Sequence, residues 1–383
     1  MGKSMSSFKP KRLAVAIAAA LAAASSEAAT INLIDLGGVA GSPAQQGFQI
    51  AANYWGNLFT NNVTINLGVR FAPLAPNVIG STGSRSADFS VAAWEARIAA
   101  TKSNSIIDQT AVLPTLTTGG VSGLTVGVNG TGNNDITVNA VLNGTQQASR
   151  VLFANSSVIK AVGGPLANPT ALDGTVTFSS NFAFDFKPSN GVDANTFDFI
   201  GVAIHEIGHA LGFVSGVDYF DYYSFPNGPG RGTLGYDLNS TSIFSALDMF
   251  RYSAPGTLNF RVGGAPYFSI DGGVTALNAN TFSTGQFQGD GRQASHWKDT
   301  PNCQIGNGIM DPTFCFGQTG FITGLDLAAF DAMGWNLSVN ALTYGQVSTA
   351  QIYTAAVPEP ETLLLMLAGL GVLGASQRKR KPA

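Results

Sequence analysis

The chain has 383 residues, 11% of them charged, and a formal net charge of −3. Apolar residues make up 45% and aromatic residues 10%, which excludes a disordered chain and leaves length for one large or two small domains. Without residues 1–28 and 357–383, Lys+Arg falls from 20 to 12 and Asp+Glu from 23 to 20, a charge of −8, so no basic surface remains for a nucleic-acid partner.

In chain order, Lys3, Lys9, Lys11 and Arg12 precede an apolar run from Leu13 to Ala24 and the small-residue stretch SSEAAT. This order predicts a secretory signal peptide over 1–28, removed by signal peptidase near Ala28 or Ala29. The apolar run is shorter than the roughly 20 residues of a membrane-spanning helix. TINLIDL then predicts a strand. Phe48, Ala51, Ala52, Trp55 and Phe59 recur at helical spacing, and Val63 to Phe71 alternates with period two. Strand, helix, strand is the opening of an α/β layer. Residues from about 72 to 170 are rich in Gly, Asn and Thr, with strand-like runs such as VLFANSSVIKAV, and take no assignment. GTVTFSSNFAFDF, Gly174 to Phe186, predicts a strand or hairpin. Asp193 or Thr196 is then placed to cap a helix from about Asp198 to Leu211, with Gly212 at its left-handed end.

That helix carries AIHEIGHALGF and two of the three histidines in the chain. Residues four apart share a helix face, so His205 and His209 point the same way, and imidazole is a favoured zinc ligand. Glu206 lies between them with a carboxylate free to serve as general base, the H-E-x-x-H arrangement. The plainer alternative is two buried, hydrogen-bonded histidines. A catalytic zinc takes a third protein ligand. No Glu occurs between Glu206 and Glu359, and Ser215 stands three residues after Gly212, where compact H-E-x-x-H-x-x-G-x-x-H sites place a histidine. The remaining histidine is His296, in ASHWKDTPNCQIGNGIMDP; Asp237, in GTLGYDLN, is the competing third ligand.

H-E-x-x-H-x-x-G-F, a distant H-W and a methionine in an I-M-x-P turn together resemble the leishmanolysin-type branch of the metzincins. The resemblance spans roughly Gly174 to Trp335. It implies His205, His209 and His296 as zinc ligands, Glu206 as base and Met310 as the turn beneath the metal. The implied fold is α+β, a metzincin-like zincin with a mixed twisted sheet, an active-site helix and a loop-rich C-terminal subdomain. The domain would cover 29–356, with an N-terminal subdomain to about 212 and a C-terminal one over 213–340. A structural Ca2+ is compatible with it, with no ligands assigned. Some metzincins carry a tyrosine two residues after the Met-turn methionine; here that position is Pro312.

Cys303 and Cys315 are the only cysteines and flank Met310. In an exported chain an even count points to a disulfide, worth about 3 kcal/mol for a short loop, with two buried thiols as the alternative. ITGLDLAAFDAMGW predicts a helix capped by Thr323 and ended by Gly334. The last residues, VPEPETLLLMLAGLGVLGASQRKRKPA, resemble a PEP-CTERM sorting tail: a Pro-Glu-Pro turn, an apolar run from Leu363 to Ala375 and a basic cluster from Arg378 to Lys381. The resemblance implies export, transient membrane association, processing by an exosortase and release to the surface or matrix.

The expected activity is that of a secreted zinc endopeptidase acting on a protein or peptide, the substrate lying along the strand within Gly174 to Phe186, taken as an edge strand. Two rivals stand beside it: a non-catalytic surface or matrix protein with a structural zinc, and a hydrolase of another bond using the same metal.

Overall fold

The computed structural model describes residues 28–114, 125–129, 139–142, 146–223, 228–230, 240–278, 281–304 and 306–357. The expected signal segment, the sorting tail and Asp237 lie outside the described residues.

The opening elements form as their patterns require. β1 (Thr30–Gly37) and β2 (Thr64–Ala72) pair in parallel, joined by helix α1 (Pro43–Leu58) as the crossover that a parallel pair needs. Phe48, Ala51, Ala52 and Trp55 are buried on one face of α1. β3 (Gly80–Ser84) and β4 (Gly174–Ser179) complete a mixed four-stranded sheet in the order β1-β2-β4-β3, with β4 parallel to β2 and β3 antiparallel to β4.

One expectation is corrected here. β4 is an interior strand, so the exposed edge beside the histidine helix belongs to β3. The sequence GSTGS concealed it, because Gly and Ser offer no apolar alternation to read. Of the strand or hairpin expected over Gly174 to Phe186, the strand forms; after β4, Phe184–Asp185 pairs in parallel with Phe197–Asp198. The run VLFANSSVIKAV divides into a strand, Val151–Asn155, and a short helix, Ser156–Ala161.

Helix α2 (Phe199–Ala210) packs against α1 and the sheet. The rings of Phe48, Phe178 and Phe199 lie 4.5–5.0 Å apart, and Trp55 Nε1 donates to the Ile204 carbonyl at 3.0 Å. Its N-cap is Asp198 rather than Asp193 or Thr196. The Asp198 carboxylate accepts from Gly201 N–H at 3.0 Å and Gly320 N–H at 2.9 Å, and also from the Thr349 hydroxyl. Asp198 is the cap because it sits one residue before the first helical turn, and its buried carboxylate also ties down the loop at Gly320 and the helix start at Thr349.

Beyond a short helix, α3 (Val217–Tyr223), lies a five-stranded sheet in the order Tyr267–Phe268, Arg251–Ala254, Thr257–Asn259, Thr125–Asn129 and Asn139–Leu142. α4 (Gly324–Met333) has the expected Thr323 cap, reinforced by Asp326 as a capping box, and ends at Gly334 with φ 117°. α5 (Thr349–Ala356) follows. One hydrophobic core runs through the molecule: Trp335 stacks on Phe59 at 4.3 Å and Phe330 meets Trp55 at 4.7 Å, so α4 seals the open side of α1.

Candidate metal centre

The end of α2 builds the first half of the site. Gly212 adopts φ +123°, a conformation that costs glycine no Cβ clash. Gly212 N–H then donates to the His209 carbonyl and Phe213 N–H to the Gly208 carbonyl, both at 3.1 Å. This double bond pattern reverses the chain and returns the Phe213 carbonyl to accept from His209 Nδ1 at 2.7 Å. His205 Nδ1 donates to the Ile309 carbonyl at 2.8 Å, and His296 Nδ1 lies 3.2 Å from the Gln293 carbonyl.

A carbonyl only accepts, so each Nδ1 carries the proton and each Nε2 keeps its lone pair. The three Nε2 atoms converge: His209 lies 3.1 Å from both His205 and His296. Lone pairs facing at that distance repel unless a cation lies among them. A tetrahedral zinc with arms of 2.0–2.1 Å would set neighbouring nitrogens about 3.3 Å apart. The donors thus suit zinc in kind and spacing. Among the described residues, this is the one group of three His, Cys, Asp or Glu side chains with ligand atoms this close, all within 4.8 Å.

All three imidazoles are buried. In the metal-free chain burial pushes His205 down to about 3 and His209 to about 4, and lowers His296 as well, so they are neutral and ready to bind metal near pH 7.

Glu206 stands outside the cluster, held by β3. The Thr82 hydroxyl lies 2.8 Å from Glu206 Oε2 and 2.8 Å from its carbonyl oxygen. At Gly80, two residues away on the same face, a Cβ would meet Glu206 Oε1 at 2.5 Å, so a side chain there would displace the carboxylate. Burial pushes the Glu206 carboxyl up to about 7, against the lowering effect of the Thr82 bond. Glu206 and the three histidines share a cleft of about 380 Å³, walled by Val78, Thr82, Pro312 and Phe314 among others.

Met310 is buried below the helix; a Cβ at Gly208 would meet its sulfur at 2.6 Å. The predicted disulfide between Cys303 and Cys315 is present, with Cα atoms 5.7 Å apart, and closes the loop that carries Met310. Asp326, which the sequence reading passed over, anchors that loop. Its buried carboxylate accepts from Trp297 Nε1 at 2.7 Å and from the N–H groups of Thr323, Ile309 and Met310 at 2.8, 2.9 and 3.3 Å. Its one sequence signal is its place three residues after Thr323. Asp326→Ala is expected to cost about 3 kcal/mol or more, because several buried donors lose their acceptor at about 1–3 kcal/mol each. The denaturant midpoint of the metal-free protein measures it; a midpoint equal to wild type would deny Asp326 this role.

Ser215 does not approach the cluster. It is buried, and its hydroxyl donates to Asp248 at 2.6 Å. Thr82 and Gly80 were also missed, for the same reason as β3 itself.

Residues 356–381 match the PEP-CTERM protein-sorting motif. The protein is exported. The tail brings membrane passage and processing by an exosortase, with sorting to the cell surface or outside. No curated protein and no solved structure matches the chain. Material recovered outside the cell is expected to lack residues up to about Ala28 and from about Val357 onward. Because α5 ends at Ala356, the loss spares that helix. An intact mass that still includes Lys381 would contradict this.

Proposed function

We propose that the protein is a secreted zinc endopeptidase of the metzincin type, with the wide ligand separation of the leishmanolysin branch. One observation carries the reading: three imidazoles with their Nδ1 protons committed elsewhere converge through Nε2, beside a carboxylate that belongs to the helix but not to the cluster. A purely structural site has no use for that carboxylate.

His205, His209 and His296 would hold the metal, with Met310 beneath. Zinc supplies a Lewis acid for the scissile carbonyl and lowers the pKa of water toward 7. Glu206 accepts the proton of the attacking water and returns it to the leaving amine. A carboxyl raised toward 7 is matched to that exchange near neutral pH. Thr82 and Gly80 keep its oxygens in the cleft. The substrate main chain lies extended along the outer edge of β3, by strand addition, with alternate side chains turned toward the cleft.

The test is digestion of denatured casein by the purified mature domain, with chelator and with zinc restored, and mass spectrometry of the products. New peptide termini that vanish with chelator and return with zinc are expected. A protein that takes up zinc but cuts no peptide bond would overturn the protease reading.

A further inference from the structure

Ser215 occupies the slot where a compact site would keep its third histidine, and its surroundings show what that slot does instead. Its backbone N–H donates to Ser295 Oγ at 2.8 Å, and Ser295 immediately precedes His296. Ser295 Oγ in turn donates to Asp218 Oδ2 at 2.5 Å. The same Asp218 carboxylate accepts Ala294 N–H at 2.6 Å and Ser295 N–H at 3.1 Å. Asp218 belongs to α3, the helix that starts two residues after Ser215. The two residues before His296 are therefore gripped by the segment that directly follows the histidine helix.

The grip is braced from below. Buried Asp248 accepts from the Ser215 hydroxyl at 2.6 Å and from Gly216 N–H at 2.8 Å, fixing the turn that presents the Ser215 N–H. Buried Arg251 donates to the Ala294 carbonyl at 3.3 Å and to the Ser283 carbonyl at 2.7 Å. Ser283 N–H donates back to the His296 carbonyl at 3.1 Å. His296's own ring bond, at 3.2 Å to Gln293, is the longest of the three imidazole bonds to carbonyls. The orientation of this ring therefore depends more on its backbone than that of the two helical histidines does.

We infer that Ser295 and Asp218 are positioning residues for the third metal ligand: a latch from Ser215 N–H through Ser295 Oγ to the Asp218 carboxylate sets where His296 Nε2 stands. The inference rests on the zinc reading of the histidine cluster. Each acts through the backbone at Ala294 and Ser295 that leads into His296.

The experiment uses the mature protein with zinc and, separately, with Co2+ as a spectroscopic probe. Ser295→Ala and Asp218→Asn should each weaken zinc affinity by about 10–100-fold, the usual cost of losing a group that orients a ligand. Both should alter the visible Co2+ bands, whereas Ser295→Thr, which keeps the hydroxyl, should restore affinity and spectrum. The thermal unfolding midpoint of the chelated Ser295→Ala protein should fall by only a few degrees, the cost of about one lost acceptor. Zinc affinities within twofold of wild type in both variants, while His296→Ala loses the metal, would overturn the latch and leave the zinc reading intact. A large fall in the chelated melting temperature of Ser295→Ala would also overturn it, because the residue would then serve folding rather than ligand placement. A wild-type protein that binds neither zinc nor Co2+ would remove the reading on which the latch rests.

Discussion

Glu206→Gln is expected to keep the fold and zinc while losing about 10²–10⁴-fold in turnover, the range for removal of a general base. The amide is nearly isosteric with the carboxylate. It fits the space that Gly80 leaves open, and its oxygen still accepts from the Thr82 hydroxyl, so the 2.8 Å contact that orients the side chain persists. What disappears is the capacity to take a proton. None of the three imidazoles or their carbonyl partners is altered. Turnover of a peptide substrate, measured beside zinc content, separates the two effects. Turnover close to wild type at full zinc content would remove Glu206 from its role.

His296→Ala is expected to lower zinc affinity sharply, whereas Asp237→Ala leaves it nearly unchanged. On the proposed reading His205 and His209 supply two ligands from one helix, and a catalytic zinc takes three from the protein. His296 Nε2 lies 3.1 Å from His209 Nε2, and its Nδ1 proton is directed to a carbonyl, so it meets the geometric demand for a third. Removing it leaves two nitrogens and a void where the third arm stood. Reduction of the Cys303–Cys315 bridge should weaken zinc binding to a smaller degree. The bridge braces the Met310 loop, and the backbone N–H of Trp297, next to His296, donates to the Met310 carbonyl at 3.0 Å. Zinc titration in which Asp237→Ala loses the metal and His296→Ala retains it would reverse the ligand assignment.

Part of this site was legible in the chain because its signals are local. The H-E-x-x-H spacing places two imidazoles on one helix face in any context. The left-handed demand after the helix is met only cheaply by a residue such as Gly212. Thr323 and Gly334 mark the two ends of α4 by capping chemistry alone. His296 became a candidate by elimination, since the chain holds three histidines and no intervening Glu. The N-cap of α2 is not legible to the residue, because Asp193, Thr196 and Asp198 offer similar capping chemistry within one short stretch. Only burial and the second partners at Gly320 and Thr349 select Asp198.

The sequence by itself determined the helix with its paired histidines, the Glu between them, the opening strand–helix–strand, the disulfide expected of an exported chain and the PEP-CTERM tail. Each is written in neighbouring residues, at spacings of one turn, one pleat or one loop. The tertiary structure alone decided which strand is the edge, what holds Glu206 and how His296 comes home. β3 is made of Gly, Ser and Thr, and its identity as a strand comes from the β4 backbone beside it. Thr82 meets Glu206 across 124 positions, and Ser215 meets Ser295 across 80. Such contacts arise from closing long loops around a common core, and single hydrogen bonds between small polar residues leave no periodic trace in the chain that makes them.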